Sequence, residues 1–296
     1  MSAPELLARL LARCDYPGPG TAVTCAVSGG ADSLALLVLA VAHGCAVTAV
    51  HVDHGLRRGS AAEAEVVAAA AERFGAAFRA ERVRVPAGPG LEARARAARY
   101  AVLPAGVLTG HTADDQAETI VANLLRGGGL DGLAGMRRDP DRVRRPLLAV
   151  RRTETEAVCA AVGLQPVRDP SNLDPAFTRN RIRHEVLPLL DAVAGRDVTA
   201  VLARQAPLLA DEAAFLDDLA AQVDPTDAPA LVAQPVVLAR RAVRRWLAAE
   251  HPPSSAEVER VLAVARGESV ACEIGGGRRV ARRAGRLRVE PVRSSE

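Results

Sequence analysis

The run Ser28-Gly29-Gly30-Ala31-Asp32-Ser33 stands between an apolar, strand-like stretch, Val23 to Val27, and a helix-like stretch, Leu34 to Ala42. Paired glycines let a backbone turn tightly and approach an anion with no Cβ in the way. A helix that follows aims unpaired N–H groups and its positive dipole end at the same point. The six residues therefore read as a phosphate cradle, although a glycine pair ahead of a helix also suits an ordinary turn. All 38 basic residues of the chain are arginine. The absence of lysine excludes a Walker-type loop with its phosphate-binding lysine, and Schiff-base chemistry on a protein amine. Phosphate held here would rest on backbone, hydroxyl, arginine and metal.

Further polar runs could serve the same chemistry. His51-Val52-Asp53-His54-Gly55-Leu56-Arg57 sets imidazoles, a carboxylate and a guanidinium at a strand end. There Asp53 or its neighbours would meet a base or ribose and Arg57 a phosphate or RNA, or the group satisfies a turn. Across Thr109 to Thr119, a helix would bring His111, Asp115 and Glu118 onto one face at spacings of four and three. Thr112 and Asp115 also fit a capping box, which accounts for Asp115 but hardly for His111 and Glu118 together. Glu92, Arg96 and Arg99 share another helical face, either a solvated ion-pair ladder or a phosphate-facing stripe. Arg126 precedes Gly127-Gly128-Gly129, a turn or a lid. Asp169-Pro170-Ser171-Asn172 and Thr178-Arg179-Asn180-Arg181-Ile182-Arg183 gather turn formers and basic residues around a helix start, structural or RNA-facing.

The elements that must position these residues alternate. Residues 21–27, 46–52, 77–85 and 106–109 read as strands, and 32–42, 60–74, 91–102 and 112–125 as helices. Such alternation predicts an α/β fold with a doubly wound parallel sheet, whose ligands bind beyond the strand C-termini, where the cradle and the 51–57 and 111–118 runs would converge. After residue 190 the text turns helical over 198–223, 235–250 and 256–266, then offers short hairpins over 270–289. The expected division is a catalytic domain over 1–190 and a smaller, mainly helical domain over 191–296.

Composition narrows the class. With 49% apolar residues and 25% charged, the 296-residue chain carries enough core for a globular protein and is not disordered. Net charge is only +3, but Arg137, Arg138, Arg142, Arg144, Arg145, Arg151 and Arg152 crowd together and seven more lie between Arg278 and Arg293. These clusters suit a polyanion or form solvated faces. Aromatics at 2% leave little for base stacking, so RNA would be read by shape and phosphates. Five widely spaced cysteines form no metal-binding pair, and no stretch is long enough to span a bilayer, so a reduced, cytoplasmic setting without membrane contact is expected.

In order, the cradle, His51 to Arg57, Ala95-Arg96 with Arg99-Tyr100, Gly110 to Thr119, Leu125 to Gly129, Arg145-Pro146-Leu147, and Asp169 to Asn172 with Arg179 to Arg183 resemble the bacterial tRNA(Ile)-lysidine synthetases. The cradle alone marks the wider superfamily of N-type ATP pyrophosphatases, and the later blocks narrow it. The resemblance implies a Rossmann-like sheet of the adenine nucleotide alpha hydrolase type. It implies ATP-dependent ligation of free L-lysine to C2 of the wobble cytidine of an isoleucine tRNA with anticodon CAU, through an adenylated base. It also implies ATP held by Ser28 to Ser33 and Asp53, with Mg²⁺ near Asp32, and chemistry by Asp32, His111, Asp115, Glu118 and Arg126. Asp115 or Glu118 would hold the lysine ammonium, while His111 and Arg126 would orient substrate or answer phosphate charge. Arg57, Arg96, Arg99, Arg179, Arg181 and Arg183 would contact tRNA, and a homodimer is open to such a chain. Longer members carry a further C-terminal tRNA-binding domain, and this chain is expected to resemble the short ones. A tRNA thiolase or an amide-forming nucleotide synthetase of the same superfamily is the alternative.

Overall fold

Apolar residues on both sides of a strand call for helices on both sides of the sheet, and the structure supplies them. It is a computed structural model that describes residues 1–53, 55, 60–86, 88, 90–136, 142–167, 169, 172, 174–248 and 253–292. Two compact units divide the chain, Met1–Leu209 and Ala210–Glu296.

In the first unit, α1 (Ala3–Leu11) precedes β1 (Ala22–Ala26), α2 (Ala31–Ala42), β2 (Ala46–Asp53), α3 (Ser60–Arg73), β3 (Ala77–Arg82), α4 (Leu91–Ala101), β4 (Val107–Thr109), α5 (Ala113–Leu125), α6 (Leu130–Leu133), β5 (Val143–Arg144) and α7 (Arg152–Ala161). Then come α8 (Thr178–Arg181), a π-helical turn over Ile182–Val186, α9 (Leu187–Ala194) and α10 (Val198–Ala221), within which the first unit ends. The strands form one parallel sheet in the order β3-β2-β1-β4-β5. Cys25 of β1 is level with Ala49 of β2 and Leu108 of β4. The order reverses at β1, so a crevice opens outside the C-terminal ends of β1 and β4, where α/β sheets bind ligands.

Alternation along β2 divides the core. Val47 and Ala49 join β1, α1, α2, α3 and α7 in the larger cluster, while Val50 packs with Leu103, Val107 and Val143 in a smaller one. Helix α2 is buried from Ser33 to Ala40, so it is apolar on every side, as a helix must be when enclosed all round. Strand β3 ends at Arg82, three residues short of the expected run, because it is the charged, mostly exposed edge strand.

The second unit holds the end of α10, then α11 (Ala228–Val232), α12 (Val236–Leu247), α13 (Ser255–Arg266) and an antiparallel sheet of β6 (Ala271–Ile274), β7 (Arg278–Arg283) and β8 (Arg286–Pro291). Val243, Val261, Val280 and Leu287 lie at its centre. Several arginines of this segment are answered locally: Arg279 and Arg283 face Glu290 at 3.4 and 3.6 Å, and Arg286 faces Asp224 at 2.6 Å.

Candidate active site

The cradle joins β1 to α2. Gly29 adopts φ +87°, a left-handed conformation that favours glycine. The Ser33 hydroxyl binds the loop to itself, accepting from the Ser28 N–H at 3.1 Å and donating to the Gly30 carbonyl at 2.9 Å. No side chain caps α2 at Gly30, which leaves its first turn to an anion. Gly110, at the end of β4, abuts this loop: a Cβ there would stand 2.6 Å from the Asp32 carbonyl oxygen. The two turns therefore touch backbone to backbone.

Helix α5 starts from that contact. Thr112 caps it, and Asp115 Oδ2 accepts from the Thr112 N–H at 2.9 Å and hydroxyl at 3.0 Å, so the expected capping box forms. His111 lies ahead of this cap. It does not share a helical face with Asp115 and Glu118, which corrects the expectation from spacing; it pairs instead with the Thr109 hydroxyl, Nδ1 to Oγ1, at 2.8 Å.

One guanidinium ties the cradle to α5. Arg152, the first residue of α7, places Nε 3.1 Å from Asp32 Oδ2, Nη1 3.1 Å from Glu118 Oε1 and Nη2 3.0 Å from Asp115 Oδ1. The Thr155 hydroxyl, one turn on, donates to Asp32 Oδ1. Asp114 fixes the start of α7 by accepting from the Arg152 N–H at 2.8 Å and from Arg151 Nε and Nη2, both at 3.1 Å. Arg151 and Arg152 were counted among the arginines suited to a polyanion, and the structure corrects this: both are committed to internal carboxylates.

Two more arginines close over the acids. Arg179 reaches Glu118 Oε2 at 2.7 Å through Nε and Asp115 Oδ1 at 2.9 Å through Nη2. Arg183 reaches Glu118 Oε1 at 2.7 Å and Oε2 at 3.2 Å. The outward RNA contact expected of these two is corrected accordingly. The Glu118 side chain is wholly buried, so three guanidinium groups answer it in place of water. Asp32, Asp115 and Glu118 thus face Arg152, Arg179 and Arg183, a balanced cluster.

Each acid keeps its own poise. Burial raises the Asp32 carboxyl above the usual range, with Arg152 and Thr155 opposing. At Asp115 burial acts the same way, but Arg152, Arg179, His111 and the Thr112 N–H outweigh it and hold the group below the usual range. His111 is pushed down to about 3 by burial, with Asp115 opposing and Arg145, Arg96 and Arg179 adding to the fall. It is neutral at pH 7.

The other expected site residues are dispersed. The Asp53 carboxylate accepts from the Gly55 N–H at 2.7 Å and stands 3.9 Å from Arg82. Arg57 lies outside the described residues. Arg126 is exposed at the far end of α5, about 16 Å along the helix from Asp115 at 1.5 Å per residue. Arg181 pairs with Glu185 on the surface at 2.9 Å. Arg96 and Arg99 lie against Tyr100, 4.9 and 5.6 Å from its ring centre. His51 is buried with Nδ1 3.0 Å from the Val27 carbonyl, and its Nε2 has no hydrogen-bond partner.

Known proteins share this plan. Residues 6–190 match the PP-loop domain family, and residues 227–288 match the TilS substrate binding domain. A tRNA(Ile)-lysidine synthase of Nocardia farcinica is 48% identical over 244 residues, covering 78% of this chain and 77% of that protein. The chain belongs to the tRNA(Ile)-lysidine synthase family. A second member of the tRNA(Ile)-lysidine synthase family, from Thermobifida fusca, is 43% identical over 275 residues, with 85% of this chain and 84% of that protein covered. A U34-tRNA thiolase, NcsA, from Methanococcus maripaludis shares the fold at 16% identity, with a TM-score of 0.55 over 71% of this chain and 78% of that one. The PP-loop match takes in every residue of the carboxylate and guanidinium cluster, including Arg152 and Thr155, which sequence reasoning missed. Their only local signal was the helix start Arg151-Arg152-Thr153-Glu154, whose Glu154 Oε2 accepts from the Arg151 N–H at 2.9 Å.

Proposed function

We propose that this protein joins L-lysine to C2 of the wobble cytidine in the CAU anticodon of an isoleucine tRNA, using ATP and releasing AMP and diphosphate. The observation that carries the reading is the Arg152 hub: one guanidinium holds Asp32 of the nucleotide loop and the Asp115 and Glu118 carboxylates together, inside the family's PP-loop domain. A site that activates a base with ATP and then delivers an amine needs its phosphate cradle and its ammonium-holding acids side by side.

In the first step the cytosine O2 attacks the α-phosphorus of ATP, forming the O–P bond as the bond to diphosphate breaks. Ser28 to Ser33 and the uncapped start of α2 stabilise the departing charge, with Asp53 on the base and ribose side. Asp32 would hold Mg²⁺ alongside phosphate oxygens and water, and the ion would offset phosphate charge when bound. In the second step the lysine ε-amine attacks C2 and AMP leaves. A free amine with pKa about 10.4 is protonated at pH 7, so a carboxylate must bind the ammonium and take its proton. Asp115 is that carboxylate. The balanced cluster implies that the ammonium enters by displacing a guanidinium from Asp115, and Arg179, with its side chain 38% exposed, is the one placed to yield. His111 orients, Arg126 serves phosphate charge near the glycine turn that follows it, and Arg57 and Arg181 contact tRNA. The thiolase alternative is not favoured, because no cysteine lies among the residues of this cluster.

The test incubates the purified protein with ATP, Mg²⁺, labelled L-lysine and an isoleucine tRNA transcript bearing CAU, beside a methionine tRNA with the same anticodon. ATP-dependent label in the first tRNA alone is the expected result. Diphosphate release without label in tRNA would overturn the substrate assignment.

A further inference from the structure

Asp115 offers an incoming ammonium one oxygen, and that oxygen is already taken twice. Its Oδ2 accepts from the Thr112 N–H and hydroxyl at 2.9 and 3.0 Å, while Oδ1 accepts from Arg152 Nη2 at 3.0 Å and Arg179 Nη2 at 2.9 Å. Of the three arginines that close on Asp115 and Glu118, only Arg152 also reaches Asp32 of the cradle, through Nε at 3.1 Å. The Thr155 hydroxyl donates to the other Asp32 oxygen, so that carboxylate is fixed with one oxygen toward Arg152. The side chains of Arg152, Asp115 and Glu118 are 20%, 12% and 0% exposed, so water screens little of their interaction. A cation added at Asp115 leaves three acids facing four cations, and the surplus lies one guanidinium away from the nucleotide loop.

Resting on the lysidine-forming reading, we infer that the amine and nucleotide sites are coupled through Arg152, so that lysine and ATP each bind more tightly when the other is present. An ammonium on Asp115 Oδ1 takes over an acceptor that Arg152 and Arg179 share. Arg179 keeps Glu118 through its Nε, and Arg152 keeps Asp32 through its own. Without nucleotide the added positive charge stays uncompensated in a site that water barely reaches, so lysine alone binds weakly. With phosphates at the cradle, the same surplus becomes an attraction that Arg152 carries from one site to the other. The effect is reciprocal by thermodynamic necessity: the factor by which ATP raises lysine affinity is the factor by which lysine raises ATP affinity. Its use to the reaction is that the amine is at hand whenever the base can be adenylated, so the activated base does not wait in water to be hydrolysed. Arg152 is in this sense a positioning residue, acting on both substrates through Asp32 and Asp115.

The experiment titrates L-lysine into the full chain by calorimetry, with and without saturating α,β-methylene-ATP and Mg²⁺, and then the analogue with and without saturating lysine. The methylene group replaces the bond that turnover breaks, so binding is read without reaction. The natural protein is expected to bind lysine about fivefold or more tightly with the analogue present, and to gain affinity for the analogue by the same factor when lysine is present. Arg152→Gln removes both the link and one cation, so it is expected to bind lysine alone no more weakly than the natural protein, yet to show an enhancement below about twofold. A merely structural role would weaken both ligands together. Arg183→Gln removes the same charge from Glu118 while sparing the link to Asp32, and it is expected to keep the enhancement. Equal lysine affinity with and without the analogue in the natural protein would overturn the inference whether or not the variants fold. An enhancement that survives in Arg152→Gln, or one lost equally in Arg183→Gln, would remove Arg152 as the link. Label transfer to tRNA alongside independent binding of lysine and analogue removes only the coupling, whereas mutual enhancement without label transfer removes only the lysidine-forming reading.

Discussion

At the residue scale, the site is defined by what neutralises what. His111, held neutral near the cluster, releases its proton on folding. The unfolded chain binds a proton there below its ordinary value of 6.5, while the folded chain does so only near 3, so stability falls as pH drops between those values. The cost is about 2 kcal/mol by pH 5, at 1.36 kcal/mol per pH unit. Denaturant melts at pH 7.5 and 5 should show it, and His111→Asn should flatten the difference; an equal pH dependence in both would remove His111 as its source. Arg152 answers three carboxylates with three nitrogens. Arg152→Gln is expected to cost about 3 kcal/mol, the loss typical when a buried acid is left without its partner. Arg152→Lys keeps the charge but not the planar fork, so it should recover part of the stability while lysine transfer stays low. Full recovery of turnover in the lysine variant would show that charge alone matters.

At the element scale, two turns do most of the positioning. The β1–α2 and β4–α5 turns meet where Gly110 lets backbone touch backbone, and α7 then presents Arg152 and Thr155 to both. Gly110→Ala would drive a Cβ into the Asp32 carbonyl, where no side chain can swing aside. A loss of about 1–3 kcal/mol is expected, as for other overpacked sites, together with weaker ATP binding by calorimetry. Wild-type ATP affinity in that variant would mean the cradle does not depend on the contact. Helices α2 and α5 were legible because Gly30 and Thr112 announce their starts and apolar residues follow. Strand β5 was not, because Val143–Arg144 is two residues long and carries no period. Helix α7 was passed over because its residues lean polar, and only α2 and its neighbours give Val158 and Cys159 something to bury against.

At the scale of the whole molecule, the reversal of strand order at β1 makes separate motifs one site. Runs that begin at residues 28 and 110 emerge from adjacent strands, and a third, from 178, folds back over them through the π-helical turn whose Ile182 packs on Ala117 and Val121. Ligand binding to that assembled crevice should stabilise it. ATP at one hundred times its dissociation constant is expected to add about 2.7 kcal/mol, a rise of about 5–11 °C in melting midpoint for a unit of this size. Scanning calorimetry measures this, and a midpoint unmoved by saturating ATP would count against the cradle.

The sequence alone determined the alternation of strand and helix, the cradle between β1 and α2, the cap at Thr112 and the identity of the acids, because each is written in residues a few positions apart. Only the tertiary structure decided which charge answers which. Arg152 lies 120 residues from Asp32, and Arg183 lies 65 from Glu118. No local period links such positions, and arginines near one another in sequence look alike whether they face solvent or a buried carboxylate. Burial and strand order supplied the difference: an acid removed from water must find cations, and the parallel sheet brings Arg152, Arg179 and Arg183 to the acids while leaving Arg96 and Arg99 at the tyrosine ring.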